Sequence, residues 1–364
     1  MTTPPAPVPT VAARLRQRVA RLAELAATPL VPSDYVDLVD PLRSPTDLRA
    51  RIVAISPETR DAVTLTLAPG RGWRPHVPGQ YVRLGVDVDG VRQWRTYSLT
   101  SVPDRADGLL TVTVKAIPDG IVSGHLVRRA RVGEVLQLDQ AAGYFTLPTP
   151  LPGKVLFVTA GSGITPVMGM VRSLLDELDD VVLVHTAPTV DEVVFGGELR
   201  KLAAQGRLRL IERHTATDGR LGVGELAGLV PDLAERDTWA CGPNGLLDAL
   251  EEHWAREGFT DRLHTERFRP TVAATGEGGT VRFSRTGTTV ESDGATALLD
   301  AGEAAGVLMP SGCRMGICFG CVVPLQEGAV RDLRSGDVTT AAPGDGVLIQ
   351  TCISAAAAAC DIDL

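Results

Sequence analysis

The chain of 364 residues contains no run of about 18 apolar residues, so no segment of it reads as a membrane-crossing helix. Lysine is nearly missing. Lys115, Lys154 and Lys201 are the only three, and the formal net charge is −8. A protein that tracks a polyanion needs a basic stripe, and none is written here, which excludes nucleic acid as the expected partner. The abundant Ala, Arg, Gly, Pro and Val match a GC-rich compositional bias and carry no functional meaning. No internal repeat is present. Only six cysteines occur, four of them in one metal-type arrangement, which argues against a disulfide framework and for a reducing, cytoplasmic setting. The length exceeds what one ordinary core fills, so two or three domains are expected, and the motifs favour three.

The pattern changes along the chain. Residues 1–46 form an N-terminal extension: MTTPPAPVPT is Pro-rich, and Val11, Leu15, Val19, Leu22 and Leu25 then recur at helical spacing among arginines. That periodicity predicts an amphipathic helix over 10–28, packed on its own protein or serving as an interfacial anchor or transit peptide. Residues 47–150 carry short alternating runs split by Gly and Pro, which predicts an antiparallel barrel. Residues 151–265 alternate apolar strands with helices: KVLFVTAG then ITPVMGMVRSLLDEL, VVLVHTA then DEVVFGGELRKLAAQ, TWACG then GLLDALEEHW. Such alternation predicts a doubly wound parallel sheet. A Gly-rich linker occupies 266–279, and 280–364 open with a hairpin, VRFSRTGTTVES, and a helix, ATALLDAGEAAG. The fold class expected is therefore multidomain, α+β and α/β.

Cys313, Cys318 and Cys321 form a C-x4-C-x2-C run, with Cys352 about thirty residues on, the spacing that holds a plant-type [2Fe–2S] cluster. Gly312, Gly316 and Gly320 let the loop wrap tightly and aim amides at the sulfurs. The competing reading is a structural zinc site. Zinc usually draws ligands from two short hairpin pairs, and the lone distant Cys352 suits that poorly.

In the second segment, WRTYSLTS places Arg95, Tyr97 and Ser98 on one strand, with alternation turning Arg95 and Tyr97 to one face and Ser98 to the other. Alone this could be a surface strand. PGQYV, residues 78–82, precedes it, and DGIVSGHL follows, where a turn at Gly120, Ile121, Val122 and Ser123 offers N–H groups to a phosphate. In this order the three pieces resemble the ferredoxin–NADP reductase superfamily. The resemblance implies that Arg95 holds a flavin phosphate, that Tyr97 stacks on the isoalloxazine, and that Ser98 bonds near its N5. It also implies backbone binding of the pyrophosphate by residues 120–123, with FAD preferred to FMN. Tyr97, Ser98 and Cys241 are the residues it assigns to catalysis.

TAGSGITP opens the third segment after an apolar strand and before a helix, the context in which Gly161 and Gly163 make a pyrophosphate turn. The superfamily has G-x-G-x-T-P here, so Thr165 and Pro166 fit. Its CGP segment near the nicotinamide is matched by Cys241, Gly242 and Pro243, although a buried structural cysteine is the plainer reading of Cys241. No acidic residue follows VVLVHTA until Asp191, while Arg213 and Arg220 could meet a 2′-phosphate, so NADPH is favoured over NADH. Glu266 and Phe268, in HTERF, are candidates to border the flavin ring.

The C-terminal segment resembles plant-type ferredoxins, a β-grasp fold, with Phe319 where relatives often carry a small or polar residue. From about residue 34 onward, the order flavin, nucleotide, ferredoxin is similar to bacterial reductases that serve diiron oxygenases. Within them the nearest resemblance is to actinobacterial NADPH-dependent reductases of membrane acyl-CoA Δ9 desaturases, with phenylacetyl-CoA epoxidase reductases more distant. The implied activity passes electrons from NADPH through FAD and the cluster to a diiron desaturase or monooxygenase, with peripheral membrane contact. The alternatives are a hydroxylase, epoxidase or P450 reductase, a non-autonomous Fe–S input subunit, and a redox-sensing module.

Overall fold

The computed structural model describes residues 40–43, 47–268 and 274–364. The helix expected over 10–28, and residues 269–273 of the linker, lie outside the described residues.

Six strands build the first unit: β1 Arg49–Thr59, β2 Ala62–Pro69, β3 Tyr81–Val88, β4 Val91–Ser98, β5 Leu110–Lys115 and β6 Val135–Leu138, in the order β4-β3-β6-β1-β2-β5. Alternate residues Val82, Leu84 and Val86 of β3 point inward with Ile52, Leu65, Leu67, Val112 and Val114. The β3–β4 turn is Asp89–Gly90, both at positive φ (51° and 83°), the backbone that a two-residue hairpin requires. Beyond β4, Leu99 pairs with Val112 of β5 and the Thr100 amide donates to the Thr111 carbonyl at 2.8 Å, so the sheet's two edges meet and it closes as a barrel.

The second unit is a parallel sheet of β7 Lys154–Ala160, β8 Asp180–Ala187, β9 Arg209–His214, β10 Asp237–Cys241 and β11 Leu263–Glu266, ordered β11-β10-β7-β8-β9. Alternation along β7 fills two cores: Val155 and Phe157 join one, Leu156 and Val158 the other. Helices α2 Ile164–Leu174 and α3 Gly196–Ala204 cover the first face, and α4 Asn244–Glu257 the second; α1 Ile121–Arg128 belongs to the barrel. The helix expected from Asp191 starts only at Gly196. Val193, Val194 and Phe195 are drawn into the core, and Phe195 takes a left-handed φ of 60°, which no α-helix continues.

The third unit holds the hairpin β12 Gly279–Phe283 and β13 Thr288–Ser292, α5 Leu298–Ala304, then β14 Val322–Asp332, β15 Val338–Ala341, β16 Val347–Gln350 and β17 Ser354–Ile362. Strand β17 lies parallel to β12 and antiparallel to β14, the mixed sheet of a β-grasp, with the helix packed over Phe283 and Ile362. Among the described residues no helix is long and apolar enough to cross a membrane.

Barrel and parallel sheet are joined through backbone. Gly169 of α2 faces the Leu99 carbonyl so closely that a Cβ there would stand 2.5 Å from the oxygen. Beside it Arg172 donates to the Thr100 carbonyl at 2.7 Å, and the Trp239 indole donates to the Thr146 carbonyl at 3.2 Å. Gly169→Ala should therefore push α2 off the barrel and destabilise by about 1–3 kcal/mol, measured by urea unfolding.

Candidate functional site

Directly paired residues of an antiparallel ladder share a face, so Ser98 with Tyr81, Thr96 with Arg83, and Trp94 with Gly85 line one side of β3–β4. Arg95 and Tyr97 line the other, opposite Leu84 and Val82, as strand alternation demands. Ser98 is buried and its Oγ has no hydrogen-bond partner. Burial pushes the Tyr97 hydroxyl above its ordinary range, and the ring packs on the barrel core. The Arg95 guanidinium donates to the Trp94 carbonyl at 2.8 Å. Burial first, and the charge of Arg314 next, lower its pKa to about 10, against the pull of Glu303 and Asp300 in the third unit.

Helix α1 begins immediately after Gly120, and no side chain caps it, so the first-turn amides of Ile121, Val122 and Ser123 face outward unclaimed. The Ser123 hydroxyl accepts from the Ile117 amide at 3.3 Å, which leaves the backbone to meet an anion.

In the parallel sheet the strand order reverses between β7 and β10, and open α/β sheets bind ligands at the carboxyl ends beside such a switch point. Gly161 ends β7 at φ 53° with open space where a side chain would stand. Gly163 differs. A Cβ at that position would collide with the Cys241 carbonyl, so Gly163 serves close packing of the β7 and β10 turns and its α-carbon faces protein. The Thr165 hydroxyl donates to the Ser162 carbonyl at 3.0 Å, Pro166 lies in the first turn of α2, and Pro243 caps α4 behind Gly242. Arg213 is committed to its own loop: it donates to Glu225 at 2.6 Å, to the Asp218 carbonyl at 2.7 Å and to the Gly219 carbonyl at 3.1 Å. Arg220, at the end of that loop, is exposed.

Cys241 is fully buried and pairs across the sheet with Glu266. Burial raises the thiol well above its usual range and raises the Glu266 carboxyl to about 8, with Glu266 Oε2 lacking a partner. Phe268, just beyond β11, is 42% exposed. Buried polar atoms left unpaired cost about 1–3 kcal/mol each, and a ring edge rich in hydrogen-bonding atoms, as a flavin presents, would satisfy Ser98 and Glu266.

The four cysteines meet in the third unit as two pairs. Cys321 Sγ lies 3.1 Å from Cys352 Sγ, and Cys318 hydrogen-bonds Cys313. Two pairs are what two iron atoms with two thiolates apiece would take. Backbone amides point at the sulfurs: Cys313 to Cys318 at 3.0 Å, Gly320 to Cys318 at 3.4 Å, Met315 to Cys313 at 3.3 Å. The bond from Cys313, then the Cys313 and Gly320 amides and Arg83, outweigh burial and hold Cys318 below the ordinary thiol range. Phe319 beside it is 68% exposed at a left-handed φ of 55°.

Tyr81 links the two ends. Its hydroxyl is raised to about 12, by burial first and then by the charges of Cys313, Glu266 and Cys318, so it feels both the Glu266 edge and the cysteine loop. PGQYV includes Tyr81 but names no role for it, and Arg83 escaped notice, although strand alternation puts it on the face of Tyr81.

Glu266 makes a pH prediction. Its folded pKa of about 8 lies above the ordinary 4.5, so the folded chain holds the extra proton between those values and stability falls as pH rises through that window. The slope is at most about 1.4 kcal/mol per pH unit. Thermal melts of the flavin-free protein should show it, and Glu266→Gln should flatten it.

Residues 55–147 match the family profile of an oxidoreductase FAD-binding domain, 157–252 that of an oxidoreductase NAD-binding domain, and 281–357 that of a 2Fe-2S iron-sulfur cluster binding domain. The chain is 48% identical over 351 residues to an NADPH oxidoreductase of Mycobacterium tuberculosis (strain H37Rv), covering 94% of this chain and 91% of that one. It is 32% identical over 336 residues to the ferredoxin reductase component of a 3-ketosteroid-9-alpha-monooxygenase from Mycobacterium tuberculosis (strain CDC 1551), covering 84% and 92%. Phthalate dioxygenase reductase shares the fold with a TM-score of 0.60 at 24% identity, over 88% of this chain and 98% of that structure. A closed barrel, a parallel sheet with a switch point and a loop of paired cysteines, each under its matching family profile, together with the 48%-identical relative, place the chain in the ferredoxin–NADP reductase superfamily, among NAD(P)H oxidoreductases with FAD and [2Fe–2S] domains.

Proposed function

We propose that this chain is the NADPH-dependent reductase of a diiron enzyme, with a membrane acyl-CoA Δ9 desaturase as the first candidate acceptor. The observation that carries the electron route is the β3–β4 face, on which Ser98 and Tyr81 adjoin the Glu266 edge and Arg83, two residues on, adjoins the cysteine loop. Two residues of strand span about 7 Å, so entry and exit are neighbours. When bound, NAD(P)H, FAD and the cluster supply the redox chemistry, taking a hydride in and releasing its electrons singly.

The residues hold and orient. Arg95 and the amides of residues 120–123 take the flavin phosphates, Tyr97 supports the ring, and Ser98 and Glu266 satisfy its polar edge. Gly161, Thr165 and Pro166 present the nucleotide turn, with Gly163 keeping β10 close enough for Cys241, Gly242 and Pro243 to border the nicotinamide. Arg213 shapes the loop that offers Arg220 to a 2′-phosphate. Cys313 with Cys318, and Cys321 with Cys352, hold the two irons.

Support for a desaturase is the family resemblance and the charge of the cluster domain. Residues 280–364 hold ten Asp and Glu against five Arg, a balance of −5 that favours a basic docking face. A monooxygenase acceptor is the second reading, favoured by the name of the 32%-identical relative.

Membranes carrying the desaturase, stearoyl-CoA, NADPH and this protein should yield oleoyl product, at a rate that falls as salt rises. Brisk dye reduction without product would sink the desaturase pairing and turn the search to a soluble oxygenase. Arg220→Ala should narrow the NADPH-over-NADH ratio of kcat/KM about tenfold, since a charge-assisted phosphate contact is worth roughly 1.5–3 kcal/mol. Cys318→Ser should cost the protein its cluster while NADPH still bleaches the flavin, read by absorbance.

A further inference from the structure

Arg83 belongs to the barrel, yet neither the flavin nor the nucleotide motifs contain it. Its own domain holds it in two ways. Nε donates to the Asp139 carboxylate, and the guanidinium carbon sits 5.0 Å from the centroid of the Trp94 ring. Gly85 makes room for that ring, since a Cβ there would stand 3.1 Å from the indole.

From this clamp the outer nitrogen crosses into the cysteine loop. A Cβ added at Gly312 would lie 3.0 Å from Arg83 Nη1, and a Cβ added at Gly320 would lie 3.0 Å from the same atom. Cys318 Sγ occupies the same notch, between the two glycines. Both positions are thus bare because one guanidinium and one sulfur fill the space, a demand that loop curvature alone does not make. Nearby, Arg314 of the loop bonds Asp300 at 2.7 Å and Glu303 at 2.5 Å, and these charges reach Arg95 on β4.

We propose that Arg83 is a positioning residue for electron transfer: from the flavin barrel it grips the cysteine loop at Gly312, Cys318 and Gly320, setting both the separation of the two redox groups and the potential at the loop. Each NAD(P)H brings a hydride, which is two electrons and one proton. The electrons cross to the loop singly, and the proton is left to solvent. Every arriving electron adds one negative charge beside Cys318, where a cation held in contact stabilises it, and hydrogen bonds to cluster sulfurs are a known lever on potential. Packing would be served by any side chain of this length; the charge and the planar fork clamped between a carboxylate and an indole serve the reduced state.

The inference rests on cluster binding by the four cysteines, and the test separates the two. Full-length holoprotein is titrated with redox mediators and the cluster followed by electron paramagnetic resonance. Arg83→Gln should lower the equilibrium constant for reducing the cluster about tenfold, a drop of about 59 mV for one electron. Arg83→Lys, which keeps the charge, should retain most of the wild-type value. Trp94→Leu, remote from the cysteines and neutral, should shift the potential in the same direction by less. A wild-type protein without iron sinks the cluster reading itself. An iron-loaded Arg83→Gln protein with the wild-type potential overturns the role of Arg83; should that variant lose its iron, an unmoved potential in Trp94→Leu overturns it instead.

Discussion

An electron passes between protein domains only where they nearly touch, and in this molecule the flavin barrel touches the cysteine loop along one face of the β3–β4 ladder. Ser98, Tyr81, Arg83 and Trp94 share that face because they are paired or alternate in register. Four hydrophobic cores would otherwise keep their surfaces apart by the thickness of side chains. The contact is made instead where side chains are missing: Gly169 against the Leu99 carbonyl, and Gly312 and Gly320 against Arg83. A methyl group at these points would separate the domains by more than it would disturb any single core.

The same economy explains the unpaired polar atoms. Ser98 Oγ and Glu266 Oε2 are buried without partners in a protein that satisfies most of its polar groups. Such atoms persist where a bound group completes them. Glu266 adds a second consequence, because its raised pKa keeps the carboxyl neutral near pH 7 and so able to donate as well as accept. The cysteine loop is built in the opposite sense: amides and a guanidinium crowd the sulfurs, so negative charge is welcome there.

How much of this could be read from residues alone varies by element. Strands β7 and β8 are legible because four apolar residues run together, and β10 because Trp239, Ala240 and Cys241 lead through a Gly-Pro turn into a helical period. Cys313, Cys318 and Cys321 are legible as candidate ligands because their spacing is a local property of one loop, and Cys352 only because the known motif places a fourth sulfur about thirty residues on. The helix expected from Asp191 failed because the period of Val193, Val194 and Phe195 reflects burial in a bend, which a one-dimensional pattern cannot tell from a helical face. Gly163 has the right place for a phosphate turn, yet what it faces is the Cys241 carbonyl, some eighty residues away in the chain.

Pattern changes, motif order and the resemblance they carry were enough for three domains, a flavin and a nicotinamide cofactor and an iron–sulfur loop, because most of those signals are contained in short stretches of chain. Only the tertiary structure decided that the cysteines fall into two pairs, that Arg213 is spent on its own loop, and that Arg83 reaches Cys318. Those facts depend on which surfaces lie opposite one another. Arg83 and Cys318 are 235 positions apart, and nothing in either neighbourhood encodes the other. Their meeting is a consequence of how separately folded cores dock, and docking is decided by shape.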